Sequence, residues 1–190
     1  MKMSKNVNIY LEANPNPNSL KFVTDKILIN DGIIKDYPDV ESAINSPLAI
    51  SLFEFKYIKR VFIMSNFITL TKNEDISWDD IKIELRDFIK KYIEEEKTII
   101  NKITTEDNNT PNRDIDKKII EVLEEYIKPA VEQDGGAIQF ESYNNGIVTV
   151  SLQGACSGCP SSTMTLKQGI ESLLKQKLGD KIKEVVAKES

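Results

Sequence analysis

The first residues of the chain alternate between apolar and polar side chains, which is the pattern of a half-buried β-strand. Residues 7–11 carry the first such run, and a second apolar run at residues 20–23 follows the sequence Asn-Pro-Asn-Pro-Asn at residues 14–18. Proline fixes its own φ and favours extended geometry in the residue before it, so this sequence is typical of a rigid turn between strands. The pattern therefore predicts a hairpin or meander, with a third strand at residues 27–29.

Apolar residues then recur at helical spacing over residues 39–55, and Pro47 divides this stretch in two. Proline is tolerated in the first turn of a helix but not in its interior, and Ser46 is a residue type that caps helix N-termini. We therefore predict two short helices here, the second capped by Ser46. The remaining apolar runs of this half predict two strands and one longer helix, at residues 61–64, 67–70 and 78–92.

The segment at residues 104–114 has no apolar side chain that could anchor it in a core, so we predict a flexible linker. Helical spacing resumes at Ile115 and continues to Val131. The sequence Asp-Gly-Gly at residues 134–136 then ends the helix. We interpret it as a helix stop rather than a phosphate-binding loop, because it lacks the Lys-Ser/Thr of such loops.

A hairpin is predicted around Asn145 and Gly146, because both tolerate the positive φ that tight hairpin turns require. Its second strand leads to a CxxC motif, after which Pro160 suits a first helical position and Gly179 suits a helix end. Residues 182–187 predict a last strand. The prediction is an α+β fold of two small α+β domains, the second ordered helix, hairpin, CxxC loop, helix, strand. The predicted bounds are residues 1–97 and 114–190, joined by a flexible linker at residues 98–113.

Composition and charge exclude several classes of partner. The chain has 190 residues, 40% of them hydrophobic and 29% charged, with a formal net charge of −5. Its basic residues are interleaved with acidic ones, so we expect no nucleic-acid partner. No apolar run approaches the roughly 18 residues of a membrane span, so we expect no membrane partner. Residues 1–6 lack the apolar core of a secretory signal, which predicts a cytoplasmic protein.

Cys156 and Cys159 are the only cysteines of the chain, which has no histidine. In a reducing compartment such a pair is expected to bind metal or do redox chemistry rather than form a structural disulfide. The pair is predicted to lie between a strand and a helix N-terminus, whose unpaired N–H groups favour thiolate over thiol. We therefore expect both sulfurs to face outward and to have a lowered pKa.

A single CxxC pair leaves three kinds of chemistry open. A zinc site or an iron–sulfur cluster held by four cysteines needs two more thiolates than one chain offers, so two chains would pool their pairs. A thioredoxin-type redox motif also stands between a strand and a helix, although the elements predicted before this one differ from that fold. Without histidine the chain has no Ser–His or Cys–His pair, so we do not expect an enzyme of that kind.

Several longer sequences carry a family resemblance. In the second half they are IKPA at 127–130, DGG at 134–136 and LQGACSGCPSSTMTLK at 152–167. In the first half they are PNPNSLKF at 15–22, SPLA at 46–49 and FITLTK at 67–72. These sequences resemble the NifU-like, or Nfu-type, iron–sulfur cluster scaffolds, with an Nfu N-terminal domain and a C-terminal NifU domain. The likeness covers nearly the whole chain outside the predicted linker.

The resemblance implies a carrier that binds an iron–sulfur cluster, 4Fe-4S in preference to 2Fe-2S, between the CxxC motifs of two chains. Cys156 and Cys159 would be the ligands, and the cluster-loaded form would be a homodimer. Upstream cluster-assembly proteins would load it, and apo iron–sulfur client proteins would receive the cluster. Lys128 stands where the family commonly has Arg, and Ala137-Ile138 where an acidic residue and Val are usual. The N-terminal domain, which offers no ligands, would dock client proteins.

Overall fold

A computed structural model describes residues 6–30, 32–101, 113–157 and 160–189. The chain divides into two compact units, Met1–Thr104 and Thr105–Ser190. Each unit combines helices with its own sheet, so the predicted α+β class is confirmed. In the described part of the chain, no helix has both the length and the apolar content to cross a bilayer. The predicted linker at residues 98–113 lies mostly outside the described residues, and its bounds stay a prediction.

The first unit is built on a five-stranded antiparallel sheet. Leu20 and Phe22 on one strand and Ile68 and Leu70 on its neighbour point into the same core, as period-two alternation requires. The strands lie in the order β1-β2-β5-β4-β3. Their bounds are β1 Ile9–Ala13, β2 Ser19–Thr24, β3 Ile34–Tyr37, β4 Ile58–Met64 and β5 Phe67–Lys72.

The strand predicted at residues 27–29 is wrong. These residues form an irregular segment in which the N–H groups of Leu28 and Ile29 donate to the carbonyl of Ser65 at 2.8 and 3.1 Å. Ile29 is buried in the core of the unit, so its hydrophobicity reflects packing of a loop rather than pairing of a strand. A run of three apolar residues cannot distinguish these two cases.

One helix of the first unit begins at its predicted cap, Ser46. A 3₁₀ helix, Glu41–Asn45, and helix α1, Pro47–Phe53, are the two predicted short helices. The Ser46 hydroxyl accepts a hydrogen bond from the N–H of Ala49 at 3.1 Å, which is the expected N-cap. Helix α2, Trp78–Glu94, packs on the same core through Leu85 and Ile89.

The second unit opens with a helical segment that contains one widened turn. Helix α3, Asp114–Val122, continues through a π-helical turn, Leu123–Ile127, into helix α4, Lys128–Gln133. Pro129 has no N–H, and its ring would clash with the carbonyl four residues earlier in an α-helix, which explains the wider turn. One π turn and one α turn together take about eight residues, so Leu123 and Val131 enter the same core.

A three-stranded sheet completes the second unit, in the order β6-β7-β8. Strands β6 (Gly136–Asn144) and β7 (Ile147–Gly154) form the predicted hairpin, and Asn145 and Gly146 in its turn have φ of 50° and 92°. Helix α5 (Pro160–Leu178) then crosses over to β8 (Glu184–Glu189), which runs parallel to β7. A parallel neighbour requires such a crossover, and it places the CxxC motif between the central strand and the helix.

We expect replacement of Leu85 by Ala to lower the free energy of unfolding of the first unit by about 2–5 kcal/mol, because the side chain is fully buried. Trp78, the only tryptophan, packs edge-on against Phe22 and therefore reports on this unit. The measurement is urea unfolding followed by its fluorescence. Ile83→Ala on the exposed side of the same helix is the control, and an equal loss in both variants would contradict the assigned core.

Candidate functional site

Cys156 lies in a tight turn between β7 and α5. The N–H of Ser157 donates to the carbonyl of Gly154 at 3.1 Å, which closes a four-residue turn. Gly154 has φ of 66°, a conformation that costs glycine little and other residues more. The chain therefore reverses direction as soon as it leaves the central strand, and Cys156 stands at the reversal.

The end of α4 contacts this turn. Gly135 has φ of 79° and ends the helix, as the Asp-Gly-Gly sequence predicts. Its carbonyl accepts a hydrogen bond from the N–H of Ala155 at 3.3 Å. One residue later, Gly136 opens β6 directly opposite Gly154 in the antiparallel register. The helix stop and the cysteine turn are thus held together by strand pairing and by a hydrogen bond.

The Cys156 side chain points into the core of the second unit. Only 8% of the residue is exposed, and it packs with the buried apolar residues of that core. A Cβ atom placed on Gly136 would lie 2.7 Å from the Cys156 sulfur and 3.2 Å from its backbone nitrogen. The sulfur therefore occupies the space that a side chain at position 136 would fill.

Burial, together with the nearby carboxylate of Asp134, raises the pKa of the Cys156 thiol from 9.0 to about 12. The expectations of an outward-facing sulfur and a lowered pKa are therefore wrong for this cysteine. The influence of a helix N-terminus falls off within its first turn, and Cys156 precedes the first residue of α5, Pro160. Desolvation of the thiolate in the apolar core outweighs it.

The start of α5 contacts the same turn. The Thr163 hydroxyl donates to the carbonyl of Cys156 at 3.3 Å. Cys159, the second predicted ligand, and Gly158 lie outside the described residues. Convergence of the two sulfurs therefore stays a prediction. Within the described ranges, no group of three or more His, Cys, Asp or Glu side chains is placed to hold a metal ion.

Three residues depart from the resembled family, and two of them are buried. Ile138 is buried in the core of the second unit, and Ala137 is buried on the opposite side of β6. Lys128 is half-buried at the start of α4. The sequence did not indicate that Gly136 contacts Cys156, because that contact depends on the register between β6 and β7. The only signal in the sequence was that two glycines follow the helix, whereas the helix stop requires one.

Two protein-family models match the chain. The model "Scaffold protein Nfu/NifU N terminal" matches residues 9–96, and the model "NifU-like domain" matches residues 119–186, which include both cysteines. Each match lies within one of the two compact units.

Curated relatives are similar over most of the chain. "NifU-like protein 4, mitochondrial" from Arabidopsis thaliana is 39% identical over 176 residues, which are 87% of this chain and 61% of that protein. "NFU1 iron-sulfur cluster scaffold homolog, mitochondrial" is 36% identical in Drosophila ananassae, over 90% of this chain and 61% of that protein. The Homo sapiens protein of that name is 36% identical, over 87% of this chain and 66% of its own length. The chain thus spans somewhat less than two thirds of these relatives.

The expectation of a cytoplasmic protein is contradicted by these relatives, whose names describe mitochondrial proteins. That expectation was based on the missing apolar core in residues 1–6, which bears on secretion alone. Mitochondrial targeting segments are amphipathic and rich in Arg and Ser rather than apolar. The observation therefore did not distinguish the cytosol from the mitochondrion.

The raised pKa of Cys156 predicts an unusual pH dependence of its alkylation. In the full chain with Cys159→Ser, the rate with iodoacetamide should still be increasing at pH 10, because the thiolate fraction grows until the pH reaches about 12. The same chain unfolded in urea should approach a plateau above its ordinary pKa of roughly 8.5–9. Mass spectrometry measures both rates, and a plateau near pH 9 in the folded chain would contradict the buried site.

Proposed function

The chain belongs to the Nfu/NifU family of scaffold proteins, and on that premise we propose that it carries iron–sulfur clusters to apo client proteins. The observation that supports this most directly is the placement of Cys156 in a tight turn between the central strand and α5, within the NifU-like match. Cys156 and Cys159 are the proposed ligands. The relatives named as iron–sulfur cluster scaffolds support the same role.

The number of thiolates determines the proposed assembly. A cluster with four cysteine ligands requires four thiolates, and one chain contains two cysteines. Two chains would therefore hold one cluster across a two-fold axis, each contributing one CxxC pair. We propose a 4Fe-4S cluster for this homodimer. Because the cluster is cargo, it must also be able to leave.

Thiolate exchange provides the proposed route for transfer. Each cysteine of a client that binds an iron displaces one thiolate of the carrier, and the carrier thiolate then takes up a proton. The high pKa of buried Cys156 supports release, because the returning sulfur is stable as a thiol in the core. The chain supplies no histidine for general acid–base work, and we propose a carrier rather than an enzyme.

A dithiol oxidoreductase is less well supported than a carrier. The attacking cysteine of such an enzyme is accessible and has a lowered pKa, whereas Cys156 is buried with a raised pKa. The sheet around the motif is a hairpin with one parallel neighbour, and the motif follows the hairpin directly. This arrangement of the sheet favours metal binding over disulfide exchange.

The first unit is the proposed docking module for client proteins and cluster-assembly proteins. It has its own core and contains neither cysteine nor histidine, so it offers no soft ligands for a cluster. A role in partner selection is compatible with both facts. Pull-down of candidate clients by each unit separately would test it, and retention of clients by the second unit alone would contradict it.

We expect Cys156→Ser and Cys159→Ser each to abolish cluster retention, because each change removes two of the four proposed thiolates from the dimer. Anaerobic reconstitution followed by iron and sulfide analysis and visible absorption measures the effect. Gly169→Ala is the matched control, since a Cβ at that helical position meets no atom within 4 Å. Full iron and sulfide in either Ser variant would show that the ligand assignment is wrong.

The reconstituted protein should have twice the chain mass of 21.5 kDa, with one cluster per two chains. Native mass spectrometry under anaerobic conditions measures both quantities. Chelation of the iron should return the protein to the association state of the apo chain. A single chain that retains four irons and four sulfides would contradict the shared site.

A further inference from the structure

We propose that Gly136 is a positioning residue that provides a storage site for the Cys156 sulfur, from which the thiol must move outward before a cluster can be bound. This inference rests on the proposed carrier function. The turn that carries Cys156 has two states, a stored state with the sulfur in the core and an exposed state with the sulfur at the surface. The described structure is the stored state.

The φ angle of Gly136 does not explain why this position is glycine. Gly135 and Gly154 both have positive φ, which favours glycine, but Gly136 does not. Glycine inside a strand weakens it and often marks a close approach of another group. The close groups here are the Cys156 sulfur and the carbonyl oxygen of Gln153, each of which would be 2.7 Å from a Cβ at position 136. The absent side chain is therefore what admits the sulfur.

Hydrogen bonds connect the turn to both neighbouring helices. One hydrogen bond, from the Ala155 N–H to the Gly135 carbonyl at 3.3 Å, connects it to the end of α4. A second, from the Thr163 hydroxyl to the Cys156 carbonyl at 3.3 Å, connects it to α5. Both are long for hydrogen bonds of their kinds. The pairing of β6 with β7 ends at Gly154, two residues before the cysteine, so outward movement of the sulfur does not require that pairing to change.

The stored state is incompatible with a cluster shared between chains. A sulfur in a residue that is 8% exposed cannot reach an iron that a second chain also binds. Opening must therefore precede cluster binding, and closing can follow release. In the stored state the buried sulfur is also shielded from oxidants in solution.

The first test measures how accessible the stored sulfur is. The full chain with Cys159→Ser is treated with iodoacetamide at pH 8, folded and in urea, and alkylation of Cys156 is followed by mass spectrometry. We expect the folded rate to be lower by at least about tenfold, because only the open fraction reacts. Equal rates would overturn the storage site.

The second test uses Gly136→Ala in the same chain. The added methyl displaces the sulfur, so alkylation should become faster by about tenfold or more, while Gly169→Ala should leave the rate unchanged. An unchanged rate in a folded Gly136→Ala chain would overturn the role of Gly136.

The methyl would also lie 2.7 Å from the carbonyl of Gln153, so the variant could lose its fold. Circular dichroism detects loss of the fold. The double variant Gly136→Ala, Cys156→Ala then shows whether the Cys156 sulfur or the Gln153 carbonyl causes that loss. Recovery of the fold on removing the sulfur supports the storage site. Failure to recover would identify the Gln153 carbonyl as the obstacle and overturn the proposal.

Cluster uptake by chains with both cysteines separates this inference from the proposed function. Gly136→Ala should take up iron and sulfide faster than the unaltered chain and reach the same final content. Slower or equal uptake by a folded variant would overturn the requirement for opening. Absence of uptake by the unaltered chain would refute the carrier function, whereas the alkylation rates would still decide whether the sulfur is stored.

Discussion

The pairing of β6 with β7 determines the environment of the cysteine. This register places Gly136 opposite Gly154 and leaves, between the helix stop and the turn, a space without side chains. The Cys156 sulfur fills that space, and its burial in turn raises the pKa of the thiol. A shift of one residue in the pairing would replace a glycine at this contact by Ala137 or Gln153 and would remove the space. The chemistry of the motif therefore depends on hydrogen bonds between strands that carry no ligand themselves.

Local signals in the sequence predicted most of the secondary structure. Ser46 caps α1, Asn145 and Gly146 form the hairpin turn, and Gly179 ends α5, because each of these depends on the backbone preferences of one or two residues. Residues 27–29 were assigned wrongly because an apolar triplet packs equally well as a strand or as a buried loop. The division into two units and the α+β class follow from the same local patterns and did not require long-range information.

The candidate site was predicted only in part. The spacing of Cys156 and Cys159 limited the predicted chemistry to metal binding or redox reactions, since a chain without histidine has few other soft ligands. The orientation of Cys156 was predicted wrongly, because sequence position suggested a helix N-terminus while tertiary packing placed the sulfur in the core. Electrostatic effects of a helix act over one turn, whereas burial acts on every ionisable group that it covers. The storage contact with Gly136 could be identified only from the register.

The widened turn before Pro129 imposes a restriction on chain length. Removal of one residue from the segment 123–127 would leave room for an α-helical turn in place of the widened one, and the Pro129 ring would then meet the carbonyl four residues earlier. The kink that relieves this clash would displace the Asp134–Gly136 corner from the end of β7, and the cysteine would lose the surface that it contacts. Insertions and deletions in this helix should therefore be as poorly tolerated as changes within the CxxC motif, although the helix contributes no ligand.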